Sequence, residues 1–140
     1  MSNNGVMNLD ISPLKNAVDR LQQGLHRYLS DTSDDQIRDG LIQRFEFTYE
    51  ISHKMLKRFL VEASANPAEY DEISFQDLIR GGNEQGLLLG DWSNWRTYRD
   101  MRARTSHTYD EKVALQVVAA IPDFLSEARH LLERLSERLG

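Results

Sequence analysis

Four arginines, Arg96, Arg99, Arg102 and Arg104, fall within nine residues in which Asp100 is the one opposing charge, a local balance of +3. Ser106, His107 and Tyr109 follow directly, and Trp92, Trp95 and Tyr98 lie just before and among the arginines. Guanidinium forks bind phosphate oxygens and stay charged at any working pH, and a histidine exchanges protons near neutrality. Together they are the minimum for metal-free cleavage of RNA, in which a ribose 2′-hydroxyl attacks the adjacent phosphate. In that chemistry His107 moves the proton and Arg102 stabilises charge on the phosphorus oxygens. Arg99, Arg104 and Ser106 are the additional phosphate- or RNA-binding candidates. A plainer reading of the same residues is a basic helix face paired to acidic neighbours. In one straight helix Arg102 and His107 would stand about 140° apart, so their convergence requires a break near Thr108 or a second copy of the chain.

Other chemistries find less support. Glu50-Ile-Ser-His53 and Glu127-Ala-Arg-His130 have the Glu-x-x-His spacing of di-iron helix bundles. Helical phase places these groups on solvated faces opposite the apolar stripes, with Glu50 and Lys54 as an i,i+4 pair, so no metal site is expected. No Gly-rich phosphate loop, dinucleotide fingerprint, zinc-protease motif or serine-hydrolase elbow occurs, and no cofactor is expected. The absence of cysteine excludes disulfides, zinc–thiolate sites, iron–sulfur clusters and thiol nucleophiles.

The chain has 140 residues, with 40% hydrophobic and 28% charged side chains, enough to bury a core and solvate a surface. A formal charge of −5 argues against gripping nucleic acid by bulk electrostatics, although that value averages over the +3 segment. No apolar run reaches the roughly 20 residues of a membrane helix, and the polar start MSNNGVMNLD does not read as a secretory signal. A cytoplasmic protein without membrane contact is the expectation.

Helical periodicity dominates the elements that must position these residues. Residues 1–11 read as a flexible arm and 12–140 as one helical domain. Ser12-Pro13 reads as a cap with proline at the first helical position, opening a helix over 13–29 on Leu14, Val18, Leu21, Leu25, Tyr28 and Leu29. A long helix from Asp35 to Ala63 buries Ile37, Leu41, Phe45, Thr48, Met55 and Phe59, widened by Ile42, Tyr49, Leu56 and Leu60. Ser74 with Asp77 caps a short helix over 75–85 that contains Gly81-Gly82, and a further helix spans Asp91 to Ala103. Thr108 with Glu111 restarts helix at Tyr109. Pro122 permits a break before the stripe Leu125, Ala128, Leu132, Leu135 and Leu139. The class is all-α, an antiparallel up-and-down bundle of five to six helices with a four-helix core. Arg38, Arg44 and Glu46 are candidates for interhelical ion pairs, with a structural role favoured for Arg44 and Glu46. Trp92 and Trp95 read as core or dimer-interface anchors rather than base-stacking platforms.

The segment Arg102-Ala-Arg-Thr-Ser-His107-Thr-Tyr109 resembles the Arg-x4-His-x-Tyr signature of HEPN-domain proteins, and more closely that of their nucleotidyltransferase substrate-binding branch. Arg38-Asp-Gly-Leu-Ile-Gln-Arg-Phe-Glu-Phe-Thr-Tyr-Glu50 and Ile121-Pro-Asp-Phe-Leu125 resemble two further stretches of that branch, in order, so the likeness extends from about Leu9 to Leu135. The resemblance implies a homodimer that pairs the signature segments, and a minimal nucleotidyltransferase partner in a two-component, toxin–antitoxin-type system. It implies Arg102 and His107 as catalytic or phosphate-binding residues and Tyr109 as the candidate acceptor of a modifying AMP. Three activities follow as expectations: a subunit binding RNA or nucleotide phosphate beside its partner, a metal-independent endoribonuclease, or an interaction module without catalysis. Ala103 departs from the usual polar residue after the signature arginine, commonly asparagine, which could orient the histidine or phosphate.

Overall fold

The computed structural model describes residues 8–140. Residues 1–7 of the expected arm lie outside the described residues. The remainder of the arm precedes the first helix, with Leu9 and Ile11 packed against the core.

Five α-helices and two single 3₁₀ turns follow one another: α1 (Ser12–Ser30), α2 (Asp35–Ala63), a turn at Pro67–Tyr70, α3 (Phe75–Glu84), α4 (Trp92–Arg104), a turn at Thr105–His107, and α5 (Glu111–Leu139). Among the described residues no strand occurs, and no helix is long and apolar enough to cross a membrane. Helices α1 and α2 pack side by side, α5 lies against both, and α4 closes on α5 and α2, with short α3 bridging α2 and α4. This is the helical bundle expected from periodicity.

Most helix ends have the chemistry their sequences suggest. Asp34 caps α2 by accepting from the N–H groups of Gln36 and Ile37 at 2.9 and 3.1 Å. Ser74 caps α3 by accepting from Asp77 at 3.1 Å. Asp91 caps α4 by accepting from Ser93, and Asn94 returns the favour to the Asp91 N–H.

Three local expectations are corrected. Ser12 is the first helical residue rather than a cap, and its N–H donates instead to Asp10 Oδ1 at 2.9 Å. Thr108 does not restart helix: its hydroxyl bonds back to Thr105, and Asp110 caps α5 by accepting from Lys112 at 2.9 Å. A carboxylate one residue before the helix is the stronger acceptor and sits at the positive end of the helix dipole. Pro122 does not break the last helix, which runs unbroken from Glu111 to Leu139. Proline in a helix interior costs about 3 kcal/mol, but Val117, Ile121, Phe124, Ala128 and Leu131 on both sides of it are fully buried against one core. Burying several such side chains at about 1.5–3 kcal/mol each outweighs the kink.

The α2 stripe is buried as its spacing predicts, apart from half-buried Ile37 at the rim, whereas Leu29 in the last turn of α1 is exposed. At Gly82 an added Cβ would lie 2.8 Å from Leu88 Cδ1 and 3.1 Å from Leu56 Cδ1. The missing side chain lets α3 sit close against α2 and the following loop. That loop turns at Gly86, whose φ of +72° favours glycine.

Glu127 overturns the expectation of a solvated face, being 1% exposed. In the C-terminal half of α5 the fully buried stripe runs through Phe124, Ala128, Leu131 and Leu135; Ala128 and Leu135 belong to the expected stripe, whereas Leu125, Leu132 and Leu139 lie half-buried at its edge. Glu127 lies about 40° from Leu131 on the helical wheel, inside that stripe. Its two oxygens accept from the N–H groups of Leu89 and Gly90, both at 2.7 Å, and pin the α3–α4 loop to α5. Burial raises its pKa above the usual carboxylate value, against the lowering effect of these bonds, His130 and the Trp95 indole.

Replacing Glu127 with alanine removes the acceptor of two part-buried backbone donors, at up to about 1–3 kcal/mol for each unsatisfied group. The expected outcome is a melting temperature lower by roughly 10 °C. Because folding raises the Glu127 pKa, the folded state binds more protons than the unfolded one above pH 4.5. Its contribution to stability is therefore greatest below that pH and declines as the pH rises through the folded value. Thermal melts of both proteins at a series of pH values check this, and a constant difference would contradict it.

Candidate functional site

Helix α4 buries only Trp95 and Tyr98. Arg102, four residues beyond Tyr98, continues the same three–four spacing and lies within about 20° of Trp95 in phase. It therefore turns toward α2 instead of outward. There two carboxylates one helical turn apart meet it: Glu46 Oε2 lies 3.2 Å from Arg102 Nη1, and Glu50 Oε1 lies 2.9 Å from Nη2 and accepts from Nε. Thr105 completes the cluster, its hydroxyl accepting from Arg102 Nη1 at 3.3 Å while donating to the Arg102 carbonyl. Arg102 is thus a held, charge-compensated guanidinium, 29% exposed.

One expectation changes here and one holds. Glu50 pairs with Arg102 and not with Lys54, because the bidentate fork of arginine fixes a carboxylate better than a lysine one turn along the same helix. Glu46 forms an interhelical ion pair, as its sequence setting suggested, and its partner is Arg102. The signal that reveals both is joint: Glu46 and Glu50 at i,i+4 on α2, and Arg102 in phase with the buried residues of α4. Arg44 does hold helices together, donating to the Arg20 carbonyl at 2.7 Å. Arg38, nearly buried, reaches Glu111 on α5 at 3.5 Å.

The 3₁₀ turn at Thr105–His107 carries the chain from α4 toward α5 and leaves His107 exposed. Tyr109, 86% exposed, places its hydroxyl 3.4 Å from His107 Nδ1, with the two rings edge-to-face at 5.9 Å. Ser106 is exposed and donates to the Ala103 carbonyl. Arg104 is bound to Asp100 at 3.2 Å and to Gln116 at 2.8 Å. Among the described residues no hydrogen bond joins Arg102 to His107. Within one chain the signature residues lie along one helix end without closing on each other.

Arg99 departs from Arg102 altogether. Its guanidinium lies over the rings of Phe75 and Trp92, 5.6 and 5.5 Å from their centroids. The two tryptophans divide: Trp95 is fully buried against Tyr49, Tyr98 and Phe124, and Trp92 is half-buried at the surface. Tyr49 is pushed up to about 12, chiefly by burial, against the opposing pull of nearby Arg99 and Arg102. His53 is half-buried, edge-to-face with Phe75 at 5.0 Å, and burial pushes its pKa down. Its face is thus partly apolar, unlike the solvated one expected. Among the described residues, no group of three or more His, Asp or Glu side chains is arranged to hold a metal ion.

Fold and surface segment together define a helical-bundle protein with an Arg-x4-His-x-Tyr segment at the junction of its last two helices. The chain belongs to the family described as nucleotidyltransferase substrate binding protein like, which it matches over residues 9–137. It is 47% identical over 104 residues to a Haemophilus influenzae protein named probable ribonuclease HepT, covering 74% of this chain and 70% of that protein. A solved Haemophilus influenzae structure, described as the fold of a substrate binding domain of a nucleotidyltransferase, superposes with a TM-score of 0.85 at 40% identity. That match covers 91% of this chain and 99% of the other.

Glu46 and Glu50 compete with any anion for Arg102. Part-exposed ion pairs contribute only about 0–1 kcal/mol each, so Glu46→Gln combined with Glu50→Gln is expected to shift the melting temperature by no more than a few degrees. Added inorganic phosphate is expected to raise the melting temperature of the double variant more than that of the wild type. Scanning fluorimetry across a phosphate series measures this, and identical responses would show that the carboxylates do not shield Arg102.

Proposed function

We propose that this chain is the helical subunit of a two-component system with a minimal nucleotidyltransferase, and that it acts on RNA phosphate through Arg102 and His107. The observation that carries the reading is the exposed His107–Tyr109 pair beside a held Arg102 at one helix junction. The name of the 47% identical relative, a probable ribonuclease, supports the choice of RNA. The description of the solved relative supports the nucleotidyltransferase partner.

The reaction consistent with these groups is an internal transesterification. A ribose 2′-oxygen loses its proton to His107 and attacks the adjacent phosphorus, the bond to the 5′-oxygen breaks, and that oxygen leaves with a proton. The products are a 2′,3′-cyclic phosphate and a 5′-hydroxyl, with no water consumed. Arg102 stabilises charge on the non-bridging oxygens once the phosphate displaces a carboxylate from it. In a homodimer the second copy brings another His107, which supplies the leaving-group proton. Arg104 and Ser106 contact neighbouring phosphates, and Arg99 contacts the RNA beyond them. Tyr109 is the acceptor through which the partner controls the subunit: AMP joined to its oxygen, with pyrophosphate leaving ATP, removes the hydroxyl facing His107.

Neutralisation of Arg102 by Glu46 and Glu50 favours a second reading, an interaction module without catalysis. Cleavage assays decide between them. Purified protein is expected to cut single-stranded RNA in the presence of a metal chelator and leave cyclic phosphate ends, and His107→Ala is expected to lower the rate by a hundredfold or more. Cleavage unchanged in His107→Ala would remove the histidine from the mechanism. With ATP and the nucleotidyltransferase, wild-type protein is expected to take up labelled AMP and Tyr109→Phe to take up none; equal labelling of both would exclude Tyr109 as the acceptor.

A further inference from the structure

We infer that Arg99, clamped over Phe75 and Trp92, is a nucleobase-stacking platform for single-stranded RNA, with Arg96 holding the phosphate beside it. The inference rests on the RNA reading above and names where the strand lies beyond the His107 turn.

Among the described residues Arg96 and Arg99 have no carboxylate within ion-pairing distance, whereas Arg102 has two and Arg104 has one. The free cations of this segment are therefore Arg96 and Arg99. They border a shallow depression on α4 whose one acidic side chain, Asp100, is already bound to Arg104. Aromatic side chains from two helices hold Arg99 in place: Phe75 on α3 and Trp92 at the start of α4, themselves edge-to-face at 5.6 Å. His53 on α2 supports Phe75 from behind at 5.0 Å. A guanidinium seated on aromatic rings keeps its outer face open, and unstacked bases of single-stranded RNA lie on such planes.

Arg99 lies about 13 Å along the chain from His107, by the rise of α4 and its 3₁₀ extension. A strand whose scissile phosphate is at His107 reaches the platform within a few nucleotides. Duplex RNA does not fit, since its bases are stacked on each other and unavailable.

Fluorescence anisotropy with labelled single-stranded oligoadenylate and oligouridylate, on a His107→Ala background that prevents cleavage, tests the platform. Arg99→Ala is expected to weaken single-strand binding roughly tenfold. Arg99→Lys, which keeps the charge but loses the planar surface, is expected to recover little of the loss. Oligoadenylate is expected to bind more tightly than oligouridylate, because purines stack on a larger area, and duplex RNA to be insensitive to both substitutions. Arg96→Ala is expected to lower the salt dependence of binding by about one phosphate contact. Circular dichroism confirms that each variant keeps its helices.

If single strands bind but neither Arg99 variant changes their affinity, the platform is overturned while the RNA reading stands. If Arg99→Ala leaves RNA binding intact and instead weakens pairing with the nucleotidyltransferase, the surface is a protein-docking face and the inference fails. If the folded protein binds no single strand at all, both the platform and the RNA reading fall.

Discussion

The burial of Trp95 is the interaction on which the rest of this surface depends. Helix α4 is otherwise polar, so its rotation about its own axis is set by two side chains, Trp95 and Tyr98, both facing Phe124 of α5. Once these are buried, helical geometry leaves no freedom for the arginines. Arg102 shares their phase and meets the carboxylates of α2, whereas Arg99 and Arg96 turn progressively outward. One packing event thus separates Arg102, compensated from α2, from Arg96 and Arg99, which have no acidic partner among the described residues. The second anchor of the same region is Glu127, which secures the loop leading into α4 through Leu89 and Gly90.

Charge balance over the whole chain is a poor guide to such a surface. The formal charge of −5 is correct, yet the acidic groups nearest the arginines are spent in pairs: Glu46 and Glu50 on Arg102, Asp100 on Arg104. What an approaching anion meets is the remainder after these pairs form. That remainder is local, positive and seated on aromatic rings. Bulk nonspecific adhesion is disfavoured by the acidic body, and contact at one strip of α4 is not.

The fold was legible because each long helix has a strong periodic stripe. The α2 positions from Leu41 to Leu60 are buried as their spacing predicts, and in α1 Leu25 is half-buried and Leu29 exposed. What periodicity obscured was phase and continuity on α5. Leucines at 125, 132 and 139 outline the edge of its buried face, and the true centre through Phe124 and Leu131 carries Glu127 inward. Pro122 suggested a break that core contacts on both sides suppress. At the site, the chemistry-bearing residues were visible as types, and His107 and Tyr109 do lie together. Their partners on α2 were not visible, because an i,i+4 pair of glutamates is ordinary on any solvated helix and gains meaning only when another helix crosses it. The difference between Trp92 and Trp95 was likewise hidden, since three residues along a helix separate a fully buried position from a half-buried one.

The paired glycines of α3 have a consequence for anyone engineering this protein for heat resistance. A methyl group at Gly81 would meet Leu60 and the Tyr70 hydroxyl at 3.5 and 3.7 Å, ordinary contact distances. Replacement by alanine there would remove a helix penalty of about 1 kcal/mol and restrict the unfolded chain. The same change at Gly82 would drive a carbon to 2.8 Å from Leu88, next to the loop that Glu127 secures. Two neighbouring, chemically identical residues therefore offer opposite returns: one is an unused opportunity for rigidity, the other a clearance on which the seating of α4 relies.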